Sequence, residues 1–326
     1  MKKILFISVR NPFSGRFSGD VMRSLKIINL LKKKYKLDVV CLKNENSKMN
    51  EKSTITFNYP NKFLKIFYCL VSFLKFQPLQ FGLFYSNKMK IFLENNANNY
   101  DYLFFYHIRS SQYLPKNYNG KTIIEMGDLY SDNYIQTFRY LNYLNPFKYI
   151  YYLESLLVKK LENKIFLNFD KIILFSKNEV NKIYKKFKKK IYHIEESVEK
   201  IKSKYLYSKK NFKILFIGNL NYLPNFLACK DFIKQIMPKL NLKLPDIKFC
   251  IIGNISKINK MLLPKNINVE ILGQKKSLSP YIKNTFCGLA NLKIATGVQG
   301  KVLTYMSYGL PVVCSTRVSN NFGSNV

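Results

Sequence analysis

Acidic residues are scarce in this chain: 19 Asp and Glu stand against 54 Lys and Arg, for a formal net charge of +35. Such an excess suits nucleic acid, an anionic membrane face or an anionic substrate. The lysines and asparagines run through the whole sequence, however, so the excess reads first as compositional bias and only second as a binding surface. There is no arginine-rich tail, RNA-recognition signature or zinc-finger spacing, and nucleic acid is not an expected partner. No Cys-x-x-Cys pair occurs among Cys41, Cys69, Cys229, Cys250, Cys287 and Cys314. With neither a disulfide framework nor zinc spacing, these are expected to be buried, reduced thiols of a cytoplasmic protein. No small-residue cleavage site follows the opening MKKILFIS, which reads as a first strand rather than an export signal. A membrane span of about 20 apolar residues is also missing. The most aromatic stretch, residues 63–85, is interrupted by Lys65, Lys75 and Pro78. It suits an amphipathic helix that either lies on a membrane surface or packs on its own domain.

What the chain does have is enough apolar residues for two cores, 47% of 326. Residues 3–8 form a short apolar β-branched run, Gly15 and Gly19 frame a loop, residues 20–34 have helical periodicity, and 37–42 form the next strand. That is a βαβ unit with a right-handed crossover. Asp20 either caps the helix or faces a substrate. Residues 101–106 and 122–126 read as buried parallel strands. His107 and Asp128 follow them, at the carboxyl edge where ligands bind in open α/β sheets. Residues 146–169 suggest a long helix with Glu154 and Glu162 on its surface or in an interdomain face. A strand at 171–176 and a basic helix at 178–190 follow. Residues 191–199 and the polar, basic 200–210 link two domains, with His193 as hinge structure, so the division falls at 1–196 and 197–326. The second domain repeats the pattern with strands at 212–217, 248–252 and 269–272, ended by Gly218, Gly253 and Gly273.

The most informative stretch is residues 295–315, ATGVQGKVLTYMSYGLPVVCS, read as a loop, a helix and a buried strand. Thr296, Gly297, Val298, Gln299 and Gly300 carry little bulk, so the backbone can turn tightly and approach a ligand. Val302, Leu303 and Met306 keep a near-helical period, Gly309 supplies a left-handed stop, and Pro311 blocks continuation. A glycine-rich loop opening a helix presents free N–H groups and the positive end of a dipole, which is a place for a phosphate. Lys301 lies in that first turn, where dipole logic disfavours a cation, and it can neutralise a diphosphate as a point charge.

This stretch resembles the donor-binding motif of family 4 retaining glycosyltransferases, which have the GT-B fold, and within them the sugar transferases of exopolysaccharide clusters. The likeness extends to FIGNLNYLPNFLACKDFIKQIMPKL at 216–240, to residues 281–292, to EMGDLYSDNY around Asp128, and to residues 11–42 near the N-terminus. The resemblance implies an α/β chain of two Rossmann-like domains facing a cleft, with a nucleotide-sugar donor on the C-terminal domain. It also implies several elements beyond the 311–313 strand, so a C-terminal domain ending at Val326 is expected to be incomplete. On the donor side it places Gly218, Asn219, the loop 296–300 and Thr304. On the acceptor or phosphate side it places Gly19, Asp20, Arg23 and Asp128, and it puts His107 near the donor sugar and acceptor hydroxyl.

Two departures bear on the chemistry. The family's two glutamates, toward the donor sugar and the ribose, fall on Thr296 and Thr304. A threonine accepts a neutral hydrogen bond of about 1 kcal/mol where a carboxylate gives roughly 1.5–3. The basic pair that many members carry after the first strand of this domain is replaced by Asn219, Leu220 and Asn221, leaving Lys301 as the main cation. No Asp-x-Asp triplet occurs. The expectation is a metal-independent, retaining transfer with no cofactor, catalysed through Lys301 and His107. The partners are a nucleotide-sugar donor, a polysaccharide or lipid-linked glycan acceptor, and an anionic surface at the inner face of the plasma membrane. The alternative from another class is a degenerate, non-catalytic GT-B subunit that binds a glycan or partner enzyme. A nucleotide-sugar epimerase of the same fold fits the motifs less well.

Overall fold

The structure is a computed structural model that describes residues 1–15, 19–44, 53–183, 185–196, 198, 205 and 212–322. The chain divides into two compact units, Met1–Ile194 and Glu195–Val326. Each is built on one all-parallel sheet with helices, the α/β class that the strand and glycine pattern implies.

In the first unit the strands are β1 (Lys3–Ser8), β2 (Lys36–Lys43), β3 (Thr54–Asn58), β4 (Tyr102–Tyr106), β5 (Lys121–Gly127), β6 (Lys171–Leu174) and β7 (Ile191–His193). They lie in the order β3-β2-β1-β4-β5-β6-β7. The helices are α1 (Gly19–Lys32), α2 (Lys62–Leu74), α3 (Leu79–Leu83), α4 (Asn87–Asn96), α5 (Tyr130–Tyr140), α6 (Phe147–Asn168) and α7 (Lys177–Asn181). The central strands are near-continuous apolar runs because both faces are covered: Leu5, Ile7, Leu103 and Phe105 face one core, Ile4, Phe6 and Phe104 the other.

The second unit has β8 (Lys213–Ile217), β9 (Lys248–Ile252), β10 (Val269–Gly273), β11 (Thr285–Ala290) and β12 (Val312–Cys314), in the order β10-β9-β8-β11-β12. Its helices are α8 (Leu223–Asp231), which continues through one π-helical turn into α9 (Met237–Lys243), then α10 (Lys257–Leu262), α11 (Ser279–Ile282), α12 (Gly300–Ser307) and α13 (Thr316–Ser319). Gly309 ends α12 with a φ of +71°, as its place before Pro311 suggests.

In both sheets the strand order reverses at one point, between β1 and β4 and between β8 and β11. The carboxyl ends of those pairs are where open α/β sheets receive ligands.

Several expectations need correction. Glu154 and Glu162 are not surface residues: both are buried, Glu162 completely. Each accepts main-chain N–H groups, Glu154 from Gln80 at 3.0 Å and Glu162 from Ser131 at 3.0 Å, with the Ser131 hydroxyl at 2.6 Å. The basic helix of 178–190 is two short pieces, α7 and a 3₁₀ segment at Lys185–Lys190. His193 belongs to the last strand of the first sheet, its Nε2 3.1 Å from the Phe175 carbonyl oxygen. All six cysteines are free, but Cys69 and Cys314 are only partly buried. The linker expected at 200–210 lies outside the described residues, Tyr205 excepted. So do residues 16–18 of the loop between Gly15 and Gly19.

Candidate functional site

In the second unit the site forms where β8 and β11 end. Gly253 sits with φ +154° against the Gly218 carbonyl, and a Cβ at Gly253 would overlap that backbone. The Gly218 amide donates to Ile252 at 2.9 Å and the Leu220 amide to Asn254 at 2.8 Å, which fixes the loop after β8. A Cβ on Gly218 would come within 2.8 Å of the Asn225 amide nitrogen, so glycine lets α8 close on the strand. Asn225 then works in two directions. Its Nδ2 donates to the Asn219 carbonyl at 3.0 Å, and its Oδ1 accepts from the Lys301 ammonium at 2.7 Å.

Lys301 is held over the Phe216 ring, 3.8 Å from its centroid. Withdrawal from water pushes its pKa down to about 7, with Cys229 pulling weakly the other way. Among the described residues no carboxylate contributes to that shift. An ammonium placed among an aromatic ring, an amide and a thiol is short of counter-charge, and an anion arriving there supplies it.

The loop before α12 completes this side. Thr296 and Gly297 are buried, Gly297 has φ +59°, and Gln299 Nε2 ties the turn by donating to the Thr296 carbonyl at 2.8 Å. Gln299 stands at the N-cap position without a side-chain cap, so the first N–H groups of α12 are left for another acceptor. Thr304 donates back to the Gly300 carbonyl at 2.8 Å, so its hydroxyl is already engaged on its own helix. Val298 is half-buried. Gly300 adopts no left-handed backbone and has open space where a Cβ would be, so its glycine is not sterically required.

Tyr305 fixes the helix in place. It is fully buried, its hydroxyl accepting from the Ile217 amide at 2.8 Å and donating toward the Leu215 and Leu289 carbonyls at 3.0 and 3.2 Å. Gly288 on β11 leaves room for its ring. One side chain thus bridges the carboxyl ends of both strands at the point of reversal.

In the first unit, His107 follows β4 with a φ of +72°, a conformation unusual for a residue with a Cβ. Its amide donates to the Glu125 carbonyl at 2.7 Å, and its ring packs on Tyr130 with centroids 4.5 Å apart. Burial, followed by the charges of Arg109, Arg10 and Arg23, holds its pKa well below 6.5, so the imidazole is neutral at neutral pH. The Arg109 guanidinium carbon is 5.1 Å from the Phe84 ring centroid and 5.8 Å from that of Tyr130, and its Nε donates to Gln80 Oε1 at 2.6 Å. Arg10 pairs with the Asp20 carboxylate, and the Asp20 carbonyl accepts the Tyr106 hydroxyl at 2.7 Å. Arg23 stacks on Phe175, 4.5 Å from the ring centroid. Asp128 follows Gly127, whose φ is +75°. Gly19 opens α1 in an exposed position with nothing near its missing Cβ.

The sequence-predicted residues therefore fall into two groups, one per unit: Gly218, Asn219, residues 296–300, Lys301 and Thr304 in the second, and Asp20, Arg23, His107 and Asp128 around the end of the first sheet. Sequence reasoning missed Asn225, Tyr305, Arg10 and Arg109. One signal for the arginines was available. The chain has only six arginines among its 54 basic residues, and three of them converge on His107.

No curated protein matches the chain in sequence. Similar solved structures include TarM of S. aureus, 10% identical with a TM-score of 0.61 over 96% of this chain and 85% of that one. Another is HepE of Anabaena in complex with UDP and glucose, 13% identical with a TM-score of 0.60 over 97% and 81%. The apo lipopolysaccharide outer core galactosyltransferase WaaB is 15% identical, with a TM-score of 0.52 over 96% and 80%. At these identities the likeness is one of fold, and it spans both units. The sequence match is confined to the unit that carries Lys301 and the glycine loop: residues 211–323 fit the family described as Glycosyl transferases group 1.

Proposed function

We propose that the protein is a glycosyltransferase that moves a sugar from a nucleoside-diphosphate donor to a polysaccharide or lipid-linked glycan acceptor, with retention at the anomeric carbon and without a metal ion. One observation carries the reading: the Lys301 ammonium, short of counter-charge, lies beside an uncapped helix start and a buried glycine turn at the strand-order reversal of the second sheet. That is the charge and shape a leaving diphosphate needs. The match of residues 211–323 to Glycosyl transferases group 1 supports it, as does the likeness to a structure containing UDP and glucose.

As the bond from sugar to phosphate breaks, negative charge grows on the diphosphate. The ammonium and the α12 amides stabilise that charge in place, the type of contribution that dominates many enzyme rates. His107, kept neutral, orients the sugar or acceptor by hydrogen bonding rather than by carrying a proton charge. Asp20, Arg23 and Asp128 position the acceptor or the phosphates, and no protein nucleophile is required. An acceptor carried on a lipid would bring the protein to the cytoplasmic face of the plasma membrane as a peripheral protein. Among the described residues no helix is long and apolar enough to cross a membrane.

The test is calorimetric binding of UDP, GDP, ADP and CMP to the protein and to Lys301→Ala, followed by transfer assays with the donor whose diphosphate binds. The reading expects one or more diphosphates to bind and Lys301→Ala to weaken them at least tenfold. It fails if no diphosphate binds, or if Lys301→Ala transfers sugar as well as the parent.

A further inference from the structure

Helix α2 is built inside out. Asn61 caps it, its side chain accepting the Leu64 amide at 2.9 Å, so the helix begins cleanly. Phe63, Ile66, Phe67, Leu70, Phe73 and Leu74 recur at spacings of three and four, the pattern that normally packs on a core. All six point away from it, from 46% exposed at Phe73 to 85% at Phe63. Toward the protein the helix presents Tyr68, which packs on Tyr85 with ring centroids 4.8 Å apart, together with Cys69, Val71 and Ser72. Ser72 is its one buried residue, and the Cys69 thiol donates to the Leu79 carbonyl at 3.3 Å. Gly82 of α3 lies against the Tyr68–Cys69 backbone so closely that a Cβ there would overlap it. The orientation is thus fixed by a close backbone contact.

The exposed stripe continues onto α6. Leu153 joins Ile66, Leu70 and Phe73 in lining an open depression of about 390 Å³ with apolar walls. Tyr149, Leu156 and Lys160 share the face of Leu153 at helical spacing, and the Lys160 ammonium sits 5.7 Å over the Phe76 ring. The charge around this face has one sign. Residues 53–93 and 133–153 contain no Asp or Glu, and the nearest carboxylates on α6, Glu154 and Glu162, are buried. Lys62, Lys75, Lys159 and Lys160 are exposed around it.

We propose that this face, formed by α2 and the N-terminal half of α6, docks on an anionic lipid surface. Apolar and aromatic side chains would enter the boundary between headgroups and acyl chains while lysines at the rim meet lipid phosphates, the arrangement of interfacial helices. The one-signed rim selects this occupant over a second copy of the chain, because a symmetric pairing would set lysines against lysines with no exposed carboxylate to answer them. The proposal stands apart from sugar transfer, since vesicle binding and nucleotide binding are measured separately and either can fail alone.

The experiment is flotation with phosphatidylcholine vesicles, with and without phosphatidylglycerol. The protein is expected to float with the phosphatidylglycerol vesicles, to stay behind with phosphatidylcholine alone, and to be released by salt. Ile66→Glu/Leu70→Glu should lose binding at least tenfold, and Lys62→Gln/Lys75→Gln roughly fivefold per lysine. Both variants should keep the thermal midpoint and nucleotide affinity of the parent, and Leu242→Glu, at an exposed position of the second unit, should float like the parent. Failure to bind phosphatidylglycerol vesicles overturns the proposal, as does equal binding to both lipids. So does a dimer in sedimentation, dispersed by Ile66→Glu/Leu70→Glu, in protein that does not float.

Discussion

Under the proposed function, Lys301 should make nucleotide binding depend on pH in a way that surface lysines cannot. Its ammonium is pushed down to about 7 by burial, from an ordinary 10.5. At pH 8 the free protein therefore holds it about nine-tenths neutral, and a diphosphate that needs the charged form must bring in a proton. Binding at pH 8 should take up close to one proton, and affinity should fall by up to about tenfold, or 1.36 kcal/mol, per pH unit above 7. The phosphate's own last proton leaves near pH 6, so the interval from about 7.5 to 9 isolates the lysine. Calorimetry of UDP in buffers of different ionisation enthalpy reads the uptake directly.

Stability of the free protein should move the opposite way. The folded pKa lies below the unfolded one, so between pH 7 and 10.5 the unfolded chain binds more protons and stability rises with pH, by at most about 1.4 kcal/mol per unit. Saturating UDP should flatten that rise, because the bound anion restores the proton. Lys301→Met keeps the packing on Phe216 and Cys229 and should abolish both the proton uptake and the pH dependence. A UDP affinity constant from pH 7.5 to 9, or an uptake that persists in Lys301→Met, would refute the reasoning.

The remaining predictions concern the supports of the two sites. Burial pushes the Glu154 carboxyl up to about 7, so the folded protein binds the extra proton between pH 4.5 and 7 and loses stability as pH rises through that interval. Glu154→Gln should therefore raise the melting temperature at pH 8 and leave it unchanged near pH 4.5, and a shift of equal size at both would sink the argument. Gly253→Ala forces a Cβ into the Gly218 carbonyl and should cost about 3 kcal/mol or more in denaturant unfolding; a variant as stable as the parent would mean this contact is not tight. Tyr305→Phe strands the Ile217 amide and the Leu215 and Leu289 carbonyls, for an expected loss of about 1–3 kcal/mol. A neutral outcome would show that water or a backbone shift replaces the hydroxyl.

How much of this was legible in the sequence depended on the range of each interaction. The loop and helix at 296–307 could be read because their signals are local: two glycines, a period of apolar residues and a Gly–Pro stop. The strands ended by Gly218, Gly253 and Gly273 followed from the same chemistry. Strands β3 and β11 were missed, the first a five-residue edge strand, the second an apolar run carrying Gly288 to clear Tyr305. The Lys301–Asn225 bond joins residues 76 apart, and Tyr305 reaches β8 across 88. Nothing near either residue announces its partner. Glu154 and Glu162 misled because a glutamate in a basic helix reads as solvated, whereas each is drawn inward by amides from a distant segment.

The departures from ordinary folding logic cluster at the two strand-order reversals. A part-buried lysine with no carboxylate acting on it among the described residues lies at one, and a histidine in left-handed backbone, kept neutral by burial and by three arginines, lies at the other. Elsewhere the buried carboxylates draw on hydrogen bonds, Glu162 with both oxygens on Ser131 and Glu154 with one oxygen on the Gln80 amide, its Oε2 remaining without a hydrogen-bond partner among the described residues. Leaving Lys301 short of counter-charge at a strand end places a cost where an arriving anion can relieve it. The same logic bears on the two threonines that stand where the resembled family has glutamates. Thr304 spends its hydrogen bond on the Gly300 carbonyl and brings no charge to a ribose. Under the proposed function, recognition would shift from the nucleoside to the diphosphate, with the Lys301 ammonium, rather than a contact with base or ribose, as the expected principal determinant of donor affinity.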